Sequence, residues 1–118
     1  MTVKEVADRL VALCREGNWA QAQDELYHPN IISREPKETG GEVTQGLEGI
    51  QKKNETWDEM AQEVHNQEIS DPMIADGYFA CTMTMDVTLK EVGRIQSTEI
   101  CVYKVADGKI VEEQFFHQ

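Results

Sequence analysis

The sequence predicts an α+β fold, with amphipathic helices first and an antiparallel sheet of long strands after them. Three observations carry this. Apolar residues recur at helical spacing through 2–16 and again through 44–61; the period drops to two after residue 63; and tight-turn signals follow at Asp76-Gly77, Gly93 and Asp107-Gly108. The helices must cover one face of that sheet, and a long-stranded, strongly bent sheet closing round them makes a cone-shaped roll with an open mouth.

Each element has its own justification. Thr2 and Glu5 fit a capping box, after which Val3, Val6, Ala7, Leu10, Leu13 and Cys14 share one helical face. Gly17 stops that helix, Asn18 is placed to cap a second with Trp19, Ala22 and Leu26 inward, and Pro29 ends it, with His28 at the helix end. Residues 30–33 suit a short strand, and 34–43, with Pro36 and Gly40-Gly41, read as an exposed loop. Leu47, Ile50, Trp57 and Met60 line one face of the third helix. Residues 63–69 then form a poorly alternating strand. The clearest strand is 78–89, where Phe79, Cys81, Met83, Met85, Val87 and Leu89 alternate with Ala80 and polar residues. Strands 94–105 and 110–117 close the chain as a hairpin about Asp107-Gly108.

The 118 residues suit a single domain, 1–118, with no repeat and no linker. A net charge of −11 argues against a nucleic-acid partner, because phosphate binding needs a basic face. No apolar run approaches the ~20 residues that span a bilayer, and the charged first helix is unlike a signal peptide, so no membrane partner and a cytoplasmic location are expected. Cys14, Cys81 and Cys101 sit in apolar patterns without CxxC spacing and read as buried free thiols. His28, His65 and His117 lack metal-ligand spacing, so no metal site is expected.

The order helix–helix–loop–helix–meander resembles the nuclear transport factor 2-like superfamily and, within it, the SnoaL-like domain proteins. The matching pieces are 54–57 of the third helix, Glu63-Val64-His65, Glu99 four residues before Tyr103, and the Gly108-Lys109-Ile110 turn within the segment 102–116. The resemblance implies three N-terminal helices on a strongly bent antiparallel sheet, a small-molecule pocket inside the cone, no cofactor, and a homodimer formed through the sheet face. Members with known chemistry use one or two acidic or histidine side chains inside the cone. The related polyketide cyclases carry an aspartate where this chain has Cys101, with Glu99 one inward step away.

One face of 94–105 carries Ile95, Ser97, Glu99, Cys101, Tyr103 and Val105; its apolar end and the resemblance both turn it inward. A carboxylate there is desolvated and its pKa rises, which prepares a general acid or base. Glu99 is therefore the first catalytic candidate, with Glu113, Tyr103 and His65 beside it. Trp57, Met83, Met85, Cys101 and Phe115 are the expected pocket lining, or else ordinary core.

Glu113 depends on hairpin register. A three-residue bulged loop pairs Val105 with Lys109 and brings Glu113 and Phe115 to the face of Glu99. A two-residue turn pairs Val105 with Ile110 and brings Gln114 and Phe116 there instead. The bulged loop is the expectation, and it makes Glu99 and Glu113 near neighbours. The function expected is binding of a small, mostly apolar organic ligand, with cofactor-independent acid/base chemistry of the isomerase or cyclase type. The alternative is a non-catalytic ligand-binding or dimerisation module whose outer sheet face carries Ile100 and Val102.

Overall fold

The computed structural model describes residues 1–117, and only the backbone of Glu38. Helix α1 (Val3–Arg15) begins as expected: the Thr2 hydroxyl accepts from the Glu5 N–H and the Glu5 carboxylate accepts from the Thr2 N–H. Gly17 then turns left-handed at φ +79° and releases the chain into α2 (Trp19–Leu26). Asn18 precedes α2 but its side chain makes no cap.

Here the structure departs from the expected order. Strand β1 (Tyr27–Arg34) starts directly after Leu26, so His28 and Pro29 lie in a strand rather than at a helix end. The supposed exposed loop holds a single 3₁₀ turn (Lys37–Thr39), a buried Pro36 and a short strand β2 (Val43–Gln45). Helix α3 (Leu47–Met60) is therefore reached only after two strands. It starts three residues later than expected, behind Gly46 at φ +94°.

The remaining strands are β3 (Ala61–Ile69), β4 (Met73–Ala75), β5 (Tyr78–Leu89), β6 (Gly93–Ala106) and β7 (Lys109–Phe116). The sheet order is β2-β1-β7-β6-β5-β3, with β4 paired to β5. The meander β3-β5-β6-β7 is antiparallel as expected, but β1 joins β7 in parallel, so the sheet is mixed. That pairing joins residues some 80 positions apart, for example Ser33 with Glu113.

The core lies between α1, α2 and the inner sheet face. Val6, Leu10, Leu13 and Cys14 of α1 pack with Leu26, Ile31, Phe79, Cys81, Cys101, Tyr103 and Ile110, all buried. Helix α3 contributes Ile50 as its one buried residue. Trp57, expected inside, is 37% exposed, because α3 reaches the body mainly through its first turns and through its C-terminal junction with β3. Inner-face residues Tyr103 and Val105 are buried at one end, whereas Ile95, Met85, Glu99 and Phe115 are only half-buried and Ser97 is exposed. That gradient marks the open side of the cone.

The last hairpin corrects the expected register in an instructive way. Asp107 and Gly108 both adopt positive φ, +51° and +77°, which makes a two-residue turn matched to the strand twist. Val105 accordingly pairs with Ile110, not Lys109. A bulge follows at once: Lys104 pairs with Glu112, leaving Val111 as the extra residue. The bulge restores the parity that the turn would have lost, so Glu113 and Phe115 still face inward, opposite Tyr103 and Cys101.

Candidate functional site

Glu113 is set deep in the closed end, 3% exposed. Parallel pairing of β1 with β7 delivers Tyr27 and Ser33 to it: the Tyr27 hydroxyl donates to Oε1, and the Ser33 hydroxyl donates to Oε2 at 2.7 Å. Burial pushes the Glu113 carboxyl up; the two hydroxyl donors and, more remotely, Lys53 work against that. Tyr103, opposite Glu113, stacks on Phe79 with ring centroids 4.7 Å apart, and burial raises its phenol well above the usual range.

Glu99 stands four residues along β6 from Tyr103, roughly 13 Å away at strand rise. Glu99 and Glu113 are therefore not the near neighbours expected, because the true register places Glu113 opposite Tyr103 rather than Cys101. Glu99 is half-buried, and its recorded hydrogen-bond donor is the Cys101 thiol at 3.9 Å, a long contact. Burial raises its carboxyl first, the nearby negative charge of Glu35 raises it further, and His117 and the thiol pull it back.

Glu35 and Lys53 escaped sequence reasoning. Glu35 lies just past β1 in the segment read as an exposed loop, and Lys53 lies on α3; they form an ion pair at 2.5 Å, and Lys53 also reaches the Thr44 hydroxyl at 3.3 Å. The negative charge of Glu35 raises the pKa of both Glu99 and Glu113. A hydrogen bond between α2 and α3, from half-buried Asn54 to buried Gln23, was also missed. All these contacts join distant segments, and no local pattern announces them.

His65 belongs elsewhere. It bonds the Thr88 hydroxyl at 2.7 Å and Glu63 at 2.9 Å, on the outer sheet face beside Asp86, whose carboxyl Arg94 holds down to about 2. The face alternation of β5 separates it from Glu99, which pairs with Met83. Among the expected lining, Met83 and Cys101 are buried in the core, Phe115 and Met85 are half-buried at the open side, and Trp57 is the most exposed.

Two open hollows, of about 530 Å³ and 340 Å³, lie elsewhere along β3, β5 and β6. Arg15, Ser70 and Thr82 border the first; Asn66, Met85 and Thr98 border the second; Glu99 borders neither. Among the described residues, no cluster of three or more His, Cys, Asp or Glu side chains could hold a metal ion, and no helix is long and apolar enough to cross a membrane.

The comparisons with known proteins agree with this architecture. A crystal structure from Mesorhizobium loti, described as a candidate SnoaL-like polyketide cyclase and also as a carbohydrate phosphatase, is 33% identical. It aligns over 99% of this chain and 100% of its own, with a TM-score of 0.92. A nuclear transport factor 2-like protein of unknown function from Burkholderia pseudomallei aligns over 100% of this chain and 92% of its own. Its TM-score is 0.80 at 10% identity, which speaks for the fold alone. AclR, a candidate hydroxylase from Streptomyces galilaeus, covers 98% of this chain and 88% of its own at 15% identity, with a TM-score of 0.74. No curated protein matches. The SnoaL-like domain family model matches residues 1–117, and the chain belongs to that family.

Proposed function

We propose that this protein binds a small, mostly apolar organic molecule at the open side of its cone and moves a proton next to a carbonyl group, with Glu99 as acid or base and no cofactor. The observation that carries this reading is Glu99 itself. It is an inward carboxyl, half-buried, raised by burial and by the charge of Glu35, with His117 and the Cys101 thiol drawing it back. A rise of this sign is the direction that general acid–base work by a carboxyl requires. Half-buried Met85 and Phe115 on the same face supply apolar contact. Glu113 is a poor donor to a developing oxyanion because both its oxygens are engaged, and Tyr103, buried beside it at the closed end, lies too far from Glu99 to serve the same carbonyl. His65, on the outer face, has no part in this scheme.

The Mesorhizobium loti protein's description as a polyketide cyclase accords with an apolar carbonyl ligand, whereas its description as a carbohydrate phosphatase does not, so the reading rests on Glu99 and not on that likeness. The test is hydrogen–deuterium exchange at the α-carbon of a panel of apolar 1,3-dicarbonyl compounds, followed by NMR with wild type and Glu99→Gln. Exchange accelerated by wild type and reduced about 10²-fold or more in the variant is expected. Equal rates in the two proteins would overturn the assignment.

A second reading rests on a different surface. Ile100 and Phe116 are directly paired on the outer sheet face and are 49% and 46% exposed, with half-buried Val102 next to them. An apolar stripe of this kind suits a second copy of the chain. Sedimentation of wild type against Ile100→Asp/Val102→Asp tests it. A dimer lost in the double variant is expected, and a wild-type monomer at high concentration would end this reading.

A further inference from the structure

The three thiols, scattered in sequence, converge on the inner sheet face, and two of them are direct cross-strand partners. Cys81 of β5 pairs with Cys101 of β6, and both are buried, at 4% and 0% exposure. The hydrogen-bonding pattern fixes the kind of pair. Thr82 directs its N–H and its carbonyl to Ser70, away from β6, and the Val105 N–H donates to the Gly77 carbonyl. Alternation from either point makes Cys81 and Cys101 a pair whose backbone groups face each other, for which Cα atoms stand about 5.5 Å apart. That lies inside the span of a disulfide, whose Cα separation is usually about 4.4–6.8 Å.

The two sulfurs differ in acidity. The Cys101 thiol, acting as donor, lowers the pKa of Cys81, while Cys81 and burial raise that of Cys101. Cys14, reaching in from α1, is pushed up to about 12 by burial. Cys81 is thus the more acidic of the two thiols, and its partner is already in place across the strand pair.

We propose that Cys81 and Cys101 are an oxidation site that closes reversibly to an intramolecular disulfide when the protein meets a peroxide. The Cys81 thiolate attacks one peroxide oxygen; the O–O bond breaks, and hydroxide leaves and is protonated to water. The resulting sulfenic acid is attacked by the Cys101 sulfur, the S–O bond breaks, and the departing hydroxide takes the Cys101 proton as a second water. Two thiols and one hydrogen peroxide give one disulfide and two waters. Cβ atoms in a pair of this type sit near the wide end of about 4.5–5.5 Å, whereas a relaxed disulfide wants about 3.5–4.5 Å. Closure must draw β5 and β6 together, so the bond is strained and easily reduced, which is the character of a labile rather than a structural disulfide. It also removes the Cys101 thiol that lies 3.9 Å from the Glu99 carboxyl.

The experiment is treatment of the native chain with hydrogen peroxide, then alkylation of the remaining thiols and peptide mapping, with and without later dithiothreitol. The expected result is the paired loss of two of three thiols, a peptide joining Cys81 to Cys101, and full recovery on reduction. Cys14→Ser should behave like wild type, and Cys81→Ser should abolish the bond. Because mapping of wild type decides the matter, a variant that folds badly does not spoil the test. Three free thiols after treatment, a bond to Cys14, a bond between chains, or irreversible sulfinic acid at Cys81 would each overturn the proposal.

Discussion

Glu113 and Glu99 sit on the same face of adjacent strands and are both raised by burial, yet their surroundings differ. Glu113 has a hydroxyl on each oxygen, one from Tyr27 and one from Ser33, and almost no exposure. Glu99 has a distant thiol and a half-open flank. The first is a carboxyl the fold is built around; the second is a carboxyl the fold leaves available. Residue type and face alone do not separate them, and the distinction comes from what lies across from each.

Substitutions can widen or erase this contrast. The largest effect is expected for Glu113→Ala, which leaves two buried hydroxyls without their acceptor and opens a cavity. A loss of about 3–4 kcal/mol in urea unfolding follows from those two costs. A loss under 1 kcal/mol would mean that the Tyr27 and Ser33 hydroxyls find other partners. Next comes Tyr27→Phe, which removes one donor and should cost about 1–2 kcal/mol while pushing the Glu113 carboxyl further up.

The pH dependence provides a third test. A folded-state value above the ordinary 4.5 means that the folded protein holds the proton more tightly than the unfolded chain. The contribution of Glu113 is fully present below that ordinary value and is lost as pH rises through the raised one. Exposed Glu25 and half-buried Asp86, held down to about 2 by Arg9 and Arg94, act in the opposite sense and lose their contribution only as the pH falls toward their own values. Wild type should therefore lose stability with rising pH above 4.5 more steeply than Glu113→Gln. Parallel pH profiles for the two would remove Glu113 as the cause. Smallest is Glu99→Gln, expected to shift unfolding by less than about 0.5 kcal/mol, since the long Cys101 thiol contact can be accepted equally by the amide oxygen of glutamine. A large destabilisation there would make Glu99 a second structural carboxyl and erase the contrast.

The sequence made the local devices legible. The Thr2–Glu5 box, the left-handed Gly17 and the six-fold alternation of 79–89 each sit within a few residues, and each is found where the pattern puts it. The inward face of β6 was legible for the same reason. What stayed hidden was set by pairings between distant segments. Nothing near Tyr27 or Ser33 points to Glu113, because the parallel β1–β7 contact brings them together across most of the chain. Glu35 and Lys53 meet only when α3 folds back over the segment after β1. Trp57 kept its helical phase but lost its burial, since periodicity shows which face a residue shares and not whether anything covers that face. His65 lies apart from the inward acids, in a strand of poor alternation with a bulge between Val64 and Asn66.

The bulge at Val111 has a consequence for how the chain can change in length. Because Val111 stands outside the ladder, its removal would leave Ile110 opposite Val105 and Glu112 opposite Lys104 in an unbroken hairpin, with Glu113 and its Tyr27–Ser33 cradle still inward. Drawing Val111 into the ladder without removing it would instead set Glu112 opposite Tyr103 and Gln114 opposite Cys101, and turn Glu113 out to water. A one-residue deletion at this position is thus tolerated, whereas an added residue in β7 that no bulge takes up rewrites the interior of the cone.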